Sequence, residues 1–127
     1  MRKTCIIIIA VSLMAVAALG CKKAISVDCA TKMRDVAAQD KNAGAAFTVS
    51  CPANCAGGSL WGTDTYTTDS SVCMAAIHAG VIAADKGGTV KVTVVKGLDK
   101  YAGGERNGVK SSDWNVSWGD TAFQVAK

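Results

Sequence analysis

The sequence predicts an α+β domain in which a central buried α-helix is wrapped by mostly antiparallel β-strands. The first observation is that residues 72–84 are apolar almost all the way round a helix, with His78 as their only strongly polar side chain. Such a helix belongs inside a domain or a membrane, and this one is shorter than the ~20 residues that a bilayer requires. The second observation is that valine recurs at every second position from 90 to 94, the pattern of a half-buried strand.

Polar residues and glycines mark the two ends of the predicted helix. At the N-terminal end, four consecutive side chains can accept hydrogen bonds from the first turn, with Asp69 favoured as a cap: Thr67, Thr68, Asp69 and Ser70. At the other end, Lys86 suits the negative end of the helix dipole, and Gly87 and Gly88 supply a left-handed stop.

Further strands are predicted on both sides of the helix. Residues 59–63 predict a short strand that ends at Gly62, and residues 47–51 predict another, from which Pro52 turns the chain away. After the helix, residues 116–125 return to a strand pattern that a Gly-Asp pair interrupts.

The remaining segments carry weaker signals. Residues 31–46 have a mixed composition that indicates a helical turn, which the Asn-Ala-Gly sequence at 42–44 would end. Residues 96–114 contain several glycines and charged residues without a clear period. They predict a long exposed loop with a tight turn at the Asn-Gly pair of residues 107–108.

Five pieces of the sequence resemble the LCCL domain, an extracellular module, and they occur in that family's order. The pieces are CPANC at 51–55, LWGTDTYTTDSSVC at 60–73, AAIHAGV at 75–81, GGTVKV at 87–92 and NGVKS at 107–111. The resemblance covers roughly residues 29–125, and it departs from the family mildly at Trp61, where tyrosine is common. It implies a central helix wrapped by sheets, a fold without known enzymatic activity, and binding of lipid or lipopolysaccharide.

The N-terminal residues 1–20 are predicted to be a signal peptide, because two basic residues precede an apolar stretch at 5–19. The sequence Ala-Leu-Gly-Cys that follows resembles a bacterial lipobox, which predicts lipidation of Cys21 and a lipidated tether at residues 21–28. Ordinary signal cleavage, with Cys21 left as a free or paired thiol, is the alternative. Residues 29–127 then form one LCCL-like domain.

These features predict an exported lipoprotein, anchored at a bacterial outer membrane on its periplasmic or surface side. Without residues 1–20, the 14 basic side chains fall to 12 against 10 acidic ones, because Arg2 and Lys3 leave with the signal peptide. So small a surplus, without a basic stripe, argues against nucleic-acid binding.

The cysteines predict structural disulfides in an exported chain. Cys5 lies in the signal peptide and Cys21 is the lipidation site, which leaves Cys29, Cys51, Cys55 and Cys73. Four cysteines allow three pairings, and the residues alone do not separate them. The LCCL resemblance implies the pairs Cys29–Cys51 and Cys55–Cys73. The cysteines lack the paired C-x₂-C spacings that a zinc site uses. Three residues separate Cys51 from Cys55, whereas a thioredoxin-like redox pair needs two.

His78 is the sequence's single histidine, and no nucleophile or carboxylate stands beside it at helical spacing. It is therefore predicted to be a structural core residue, together with Ile77, Gly80 and Val81, that bonds a backbone carbonyl or a hydroxyl of a wrapping loop. No catalytic residue, cofactor or metal site is predicted, and no calcium-loop pattern supports a cation.

A ligand-binding surface is predicted from aromatic and basic residues near the C-terminus, a composition that suits sugar faces and anionic headgroups. Its members are Tyr101, Trp114, Lys100, Arg106 and Lys110. In the alternative interpretation, Trp118 belongs to the core, Trp61 packs beside the helix, and the lysines only solvate a loop.

Two functions compete on this basis. The first is a lipid-anchored, non-enzymatic binding or adhesion module of the cell envelope that recognises lipid, lipopolysaccharide or polysaccharide. The second is a structural envelope lipoprotein that contacts a protein partner and has no small ligand.

Overall fold

The computed structural model describes residues 24–36 and 42–127. The predicted signal peptide, the lipidation site at Cys21 and part of the helical turn predicted within 31–46 lie outside the described residues. None of the helices in these two ranges has the length and hydropathy that a membrane span requires.

Two sheets and two short helices make up the described fold. The larger sheet contains β1 (Ile25–Ser26), β2 (Ala46–Cys51), β3 (Gly62–Thr63), β4 (Thr65–Thr67), β5 (Gly88–Lys96) and β8 (Thr121–Ala126). The smaller sheet is a hairpin of β6 (Gly104–Arg106) and β7 (Val109–Ser111). A 3-10 helix spans Met33–Asp35, and the α-helix α1 spans Val72–His78.

The larger sheet has the strand order β1-β2-β5-β8-β4-β3. Its β1–β2 pair is parallel and its other pairs are antiparallel. The predicted α+β class with mostly antiparallel strands is therefore confirmed. The strand predicted at 47–51 corresponds to β2, and the strand predicted from the valines at 90–94 corresponds to β5, in which Val90, Val92 and Val94 are all buried.

Every residue of α1 is buried, which confirms that the helix is the centre of the domain. One side packs with the core residues of the large sheet, among them Val92 and Phe123. The β6–β7 hairpin and the N-terminal segment cover the rest. That segment lies across the start of the helix, where the Val72 amide donates to the Thr31 carbonyl at 3.1 Å and the Met33 amide to the Ser70 carbonyl at 3.0 Å.

The helix is shorter than the predicted span of 72–84, because Gly80 ends it. Gly80 has a φ of +79°, which is the left-handed conformation that favours glycine. Its amide donates to the Ile77 carbonyl at 3.0 Å, and the Val81 amide donates to the Ala76 carbonyl at 2.9 Å. These two bonds form a Schellman motif, which ends the helix at Gly80. The two glycines predicted to end it have another place: Gly87 directly precedes β5, and Gly88 is the first residue of that strand.

The start of α1 also differs from the prediction, since Ser71 is the N-cap. Its hydroxyl accepts a hydrogen bond from the Met74 amide at 3.2 Å and donates to the Cys29 carbonyl. The prediction that Asp69 caps the helix is therefore wrong. Asp69 instead forms ion pairs with Lys32 and Arg34.

Two loop predictions need correction. The segment at 96–114 is not simply an exposed loop: it contains the β6–β7 hairpin, and Tyr101 within it is only 1% exposed. The tight turn at Asn107 and Gly108 is confirmed, with both residues at positive φ. The strand predicted at 59–63 begins rather than ends at Gly62, because β3 covers only Gly62–Thr63.

The disulfides join Cys29 to Cys55 and Cys51 to Cys73, so the predicted pairs Cys29–Cys51 and Cys55–Cys73 are wrong. The Cα atoms of the two observed pairs lie 5.3 Å and 5.7 Å apart, within the usual range for disulfides.

Strand geometry explains this pairing. Val49 and Cys51 are two residues apart in β2, so their side chains share one face, and both are buried toward the core that holds α1. Cys73 lies in the first turn of α1 and is the partner on that face. The parallel pairing of β1 with β2 carries the chain past the end of β2, where Cys29 meets Cys55 of the following loop.

We predict that removing the Cys51–Cys73 bridge in the double variant C51A/C73A lowers the free energy of unfolding by about 2–5 kcal/mol. Denaturant unfolding monitored by circular dichroism measures this loss. Non-reducing peptide mapping of the same variant should still find Cys29 linked to Cys55.

A crossed variant, C29A/C51A, takes one cysteine from each bridge and serves as the control for connectivity. In denaturant, it should have two more reactive thiols than the wild type, on Cys55 and Cys73, which are buried in the folded state. A variant without new thiols would show that those two cysteines are bonded to each other, and the observed pairing would be refuted.

Candidate functional site

A cleft of about 190 Å³ has a largely aromatic lining. Its lining residues come from three separate parts of the chain: Trp61, Thr67, Asp69, Trp114 and Trp118. We call it the tryptophan cleft. The sequence contains three tryptophans, and all of them line this one cavity.

Backbone hydrogen bonds hold Trp61 in its place ahead of β3. The Trp61 amide donates to the hydroxyl of Ser70 at 3.0 Å, and the Thr67 amide donates to the Trp61 carbonyl at 3.2 Å. Ser70 is fully buried directly ahead of the N-cap of α1. The helix start therefore positions one wall of the cleft.

Trp114 is held from the opposite side by a bridge to Tyr101. The Tyr101 amide donates to the Trp114 carbonyl at 2.7 Å, and the Trp114 amide donates to the Tyr101 carbonyl at 2.8 Å. The Tyr101 side chain anchors this bridge, because its ring is buried and its hydroxyl accepts from the Leu98 amide at 3.0 Å.

The three indole rings contact one another edge to face, with Trp114 in the middle. The Trp114 ring centroid lies 5.4 Å from that of Trp61 at 76° and 5.4 Å from that of Trp118 at 90°. Aromatic pairs favour this geometry over a parallel sandwich. The rings therefore form a pre-arranged aromatic surface, and Trp61, Trp114 and Trp118 are each only partly buried.

Asp69 is the ionisable residue in the lining of the cleft. Its Oδ1 atom lies 3.0 Å from Lys32 Nζ and 3.2 Å from Arg34 Nη1, and neither of these basic residues lines the cleft. Partly exposed pairs of this kind contribute little stability, about 0–1 kcal/mol each. They do balance the carboxylate charge, so the cleft presents an oxygen acceptor without a surplus of negative charge.

The indole nitrogen of Trp114 is a buried donor without an acceptor. Among the buried side-chain nitrogen and oxygen atoms of the described residues, Trp114 Nε1 is the one that has no hydrogen-bond partner. Buried donors are nearly always paired, so this atom calls for an explanation.

The structure separates the residues of the predicted five-residue binding surface. Trp114 lines the cleft, whereas Tyr101 is buried and is excluded from any exposed site. Arg106 pairs with Asp64 at 2.7 Å, and Lys100 and Lys110 are exposed. None of these three basic residues lines the cleft.

Sequence reasoning missed that Trp61, Thr67 and Asp69 belong to the same site, and its alternative interpretation placed Trp118 in the core. Over forty residues separate the two halves of the lining, so only the fold brings them together. The sequence did contain one signal for this site, because Trp61 stands where tyrosine is common in LCCL domains.

His78 lies fully buried at the end of α1, and both of its ring nitrogens have partners. Nε2 is 3.0 Å from the Gly104 carbonyl, which can only accept, so Nε2 carries the proton. Nδ1 then accepts from the Tyr66 hydroxyl at 2.9 Å. This arrangement ties α1 to β4 and to the β6–β7 hairpin, and it leaves no ring nitrogen for chemistry.

The other residues predicted for the structural core lie at different depths. Ile77 is buried beside His78, and Val81 is half-buried against the core. Gly80 is exposed, so its prediction as a core residue is wrong. Its role is to end the helix, because it alone can adopt the required backbone conformation without strain.

In the described ranges, no group of three or more His, Cys, Asp or Glu side chains is placed to hold a metal ion.

Comparison with known proteins now decides the family. The LCCL domain model matches residues 27–121. This chain belongs to the LCCL family.

Relatives share this LCCL domain within much longer proteins. The human "Cysteine-rich secretory protein LCCL domain-containing 2" is 35% identical over 108 residues, which cover 81% of this chain and 22% of that protein. Clotting factor C of Tachypleus tridentatus is 38% identical over 68% of this chain and 8% of its own length. Human cochlin is 32% identical over 74% of this chain and 17% of its own length. This chain therefore spans about a fifth or less of these relatives.

We predict that Tyr66→Phe lowers the free energy of unfolding by about 1–3 kcal/mol, because it leaves His78 Nδ1 buried without a donor. Thermal or denaturant unfolding measures the change. Tyr101→Phe is the matched control: it also removes a hydroxyl from a buried ring, but the Leu98 residue that loses its partner is 42% exposed. An equal or smaller loss for Tyr66→Phe would contradict the importance of the His78 bond.

Burial raises the pKa of the Tyr66 hydroxyl above its ordinary value of 10.0. The Asp64 carboxylate raises this pKa further, whereas a backbone hydrogen bond at Asp64 and the Arg106 charge lower it. Below pH 10 both the folded and unfolded states keep the proton, so the stabilisation is fully present.

Stability should therefore fall as the pH rises from about 10 through the higher pKa of the folded state, because the unfolded state releases its proton first. Urea unfolding at successive alkaline pH values measures this slope. In Tyr66→Phe the slope should be shallower than in the wild type, and identical slopes would assign the alkaline loss to other groups.

Proposed function

We propose that this chain is a non-enzymatic binding or adhesion module, tethered to a cell envelope through a lipid on Cys21. Its proposed ligands are lipid, lipopolysaccharide or polysaccharide. The observation that carries the proposal is the tryptophan cleft, in which all three tryptophans of the chain meet around a small cavity with a polar edge. Binding sites typically combine such an aromatic lining with a few placed polar groups.

Two further observations favour binding over catalysis. Both nitrogens of His78 are engaged inside the core, so the sequence's single histidine is committed to structure. The LCCL domain is a binding and structural module, and the name cochlin denotes no catalytic activity. The tethering part of the proposal rests on the lipobox-like residues 18–21 alone.

A protein-contacting role without a small ligand is the second candidate. The large apolar side chains that are most exposed in the described residues are Leu98 at 42% and Val116 at 57%. Exposed apolar side chains of this kind favour a partner surface only where they form a contiguous patch.

Expression of the full chain in a bacterium provides protein for two experiments, one on the lipid tether and one on the ligand. Labelled fatty acid should be incorporated into the wild type and into Cys5→Ser, but not into Cys21→Ser. Equal labelling of Cys21→Ser would remove the lipid anchor from the proposal.

The ligand arm uses the same full chain, solubilised in detergent, on immobilised lipopolysaccharide, phospholipid and envelope polysaccharides. At least one surface should bind saturably, and Trp118→Ala should weaken binding by about tenfold, the effect of one anchor residue. Lys110→Ala, which changes a residue outside the cleft, should bind like the wild type. Absence of binding to every surface would favour the protein-contacting role.

A further inference from the structure

We infer that the tryptophan cleft binds an uncharged sugar ring of a glycan. This inference rests on the proposed function and narrows it, because lipid, phosphate and sugar are chemically different ligands. Three observations on the cleft lead to it: the aromatic walls, the polar atoms at their edge, and the charge balance at Asp69.

The aromatic walls suit a flat ring that has apolar C–H faces. Trp61, Trp114 and Trp118 stand at steep angles to one another and are all partly exposed to solvent. A pyranose can lay its C–H face on one indole while its rim reaches the next. The cavity of about 190 Å³ is smaller than typical drug-sized sites, which start near ~300 Å³. It therefore suits one ring of a glycan rather than an extended acyl chain.

The residues that line the cleft carry both a donor and an acceptor. Trp114 Nε1 is buried and has no partner in the described residues, and a small rotation of the indole ring would bring this donor to a ligand oxygen in the cleft. Asp69 supplies carboxylate oxygen at the same cavity. A sugar hydroxyl both donates and accepts, so adjacent hydroxyls of one ring can serve both groups.

The charge balance disfavours ionic ligands. A quaternary ammonium group would find aromatic rings, but its counter-charge at Asp69 already serves Lys32 and Arg34. Such a cation also has no lone pair for Trp114 Nε1. A phosphate would find no lysine or arginine among the lining residues to bind it. A neutral, hydroxyl-rich ring meets neither problem.

All three tryptophans line the cleft, so the intrinsic tryptophan fluorescence of the full chain reports on this site alone. The experiment titrates the full chain, in a detergent without a sugar headgroup, with neutral monosaccharides and their oligomers. Inorganic phosphate and tetramethylammonium are the ionic probes. We expect a saturable fluorescence change with at least one neutral sugar, the same affinity at low and high salt, and no change with either ion.

Trp114→Phe tests the unpaired donor directly, because it keeps an aromatic ring and removes the N–H. We expect its sugar affinity to fall by up to about tenfold, the usual range for one hydrogen bond. Its melting temperature should stay close to that of the wild type, since the lost donor had no protein partner. Lys110→Ala is the control that should leave affinity unchanged. A Trp114→Phe variant that binds sugar as well as the wild type would overturn the role of the donor.

Two further ligands distinguish the possible sources of the sugar. One is a neutral envelope polysaccharide, and the other is lipopolysaccharide with and without its outer polysaccharide chain. Binding that is lost with the outer chain supports the inference. Salt-sensitive binding to the truncated lipopolysaccharide, or a response to phosphate or tetramethylammonium alone, would overturn it while the proposed binding function stands. Failure of every sugar, lipid and ion to bind would refute both.

Discussion

The complete burial of α1 is the constraint on which the rest of this structure depends. A helix with no polar face cannot lie on the surface of a sheet, so a second layer must cover the side that the sheet leaves open. Here that layer consists of the N-terminal segment and the β6–β7 hairpin. Its attachment is polar: Ser71 bonds the Cys29 carbonyl at one end of the helix, and His78 bonds the Gly104 carbonyl at the other. The buried polar residues thus fix which loops cover the helix, and where.

The tryptophan cleft follows from the same arrangement. The turn that leads into α1 contains Ser70, whose hydroxyl holds the Trp61 backbone, and Asp69, which lines the cleft and pairs with the N-terminal segment. The chain beyond β7 then returns to place Trp114 beside Trp61. Residues that are far apart in sequence therefore meet at the cleft, because the helix start positions Trp61 and Asp69 while the bridge to Tyr101 positions Trp114.

Much of this fold was predictable from the sequence, and the failures have specific physical causes. The valine alternation of β5 and the apolar character of α1 identify the core directly, because burial patterns are local properties of the chain. The end of α1 was misplaced because Gly80 lies inside an apolar run, where composition suggests continuation although the left-handed backbone at Gly80 stops the helix. The N-cap was misplaced by two residues, at Asp69 instead of Ser71, because several adjacent side chains can cap equally well.

The disulfides and the candidate site were harder to predict, because both depend on contacts between distant segments. Cys51 faces α1 through the strand alternation of β2, but this is visible only once the position of the helix start relative to β2 is known. The aromatic and basic residues near the C-terminus suggested a single surface, yet Tyr101 points inward and supports the Trp114 backbone. Trp114 lies at the site because its backbone pairs with Tyr101 and its ring contacts the other two indoles, whereas the sequence suggested a site from the basic residues near it.

The Cys29–Cys55 bridge has a mechanical consequence. Strand β1 is only two residues long and lies at the edge of the sheet, so a pulling force on the chain ahead of residue 24 would peel it away one hydrogen bond at a time. Peeling would stop at Cys29, because the load then passes through a covalent bond into the loop that contains Cys55. The second bridge carries tension from β2 into the first turn of α1. Shear at the N-terminal end of the domain is thus borne by sulfur–sulfur bonds, which pass it to the start of the buried helix instead of to the hydrogen bonds of β1.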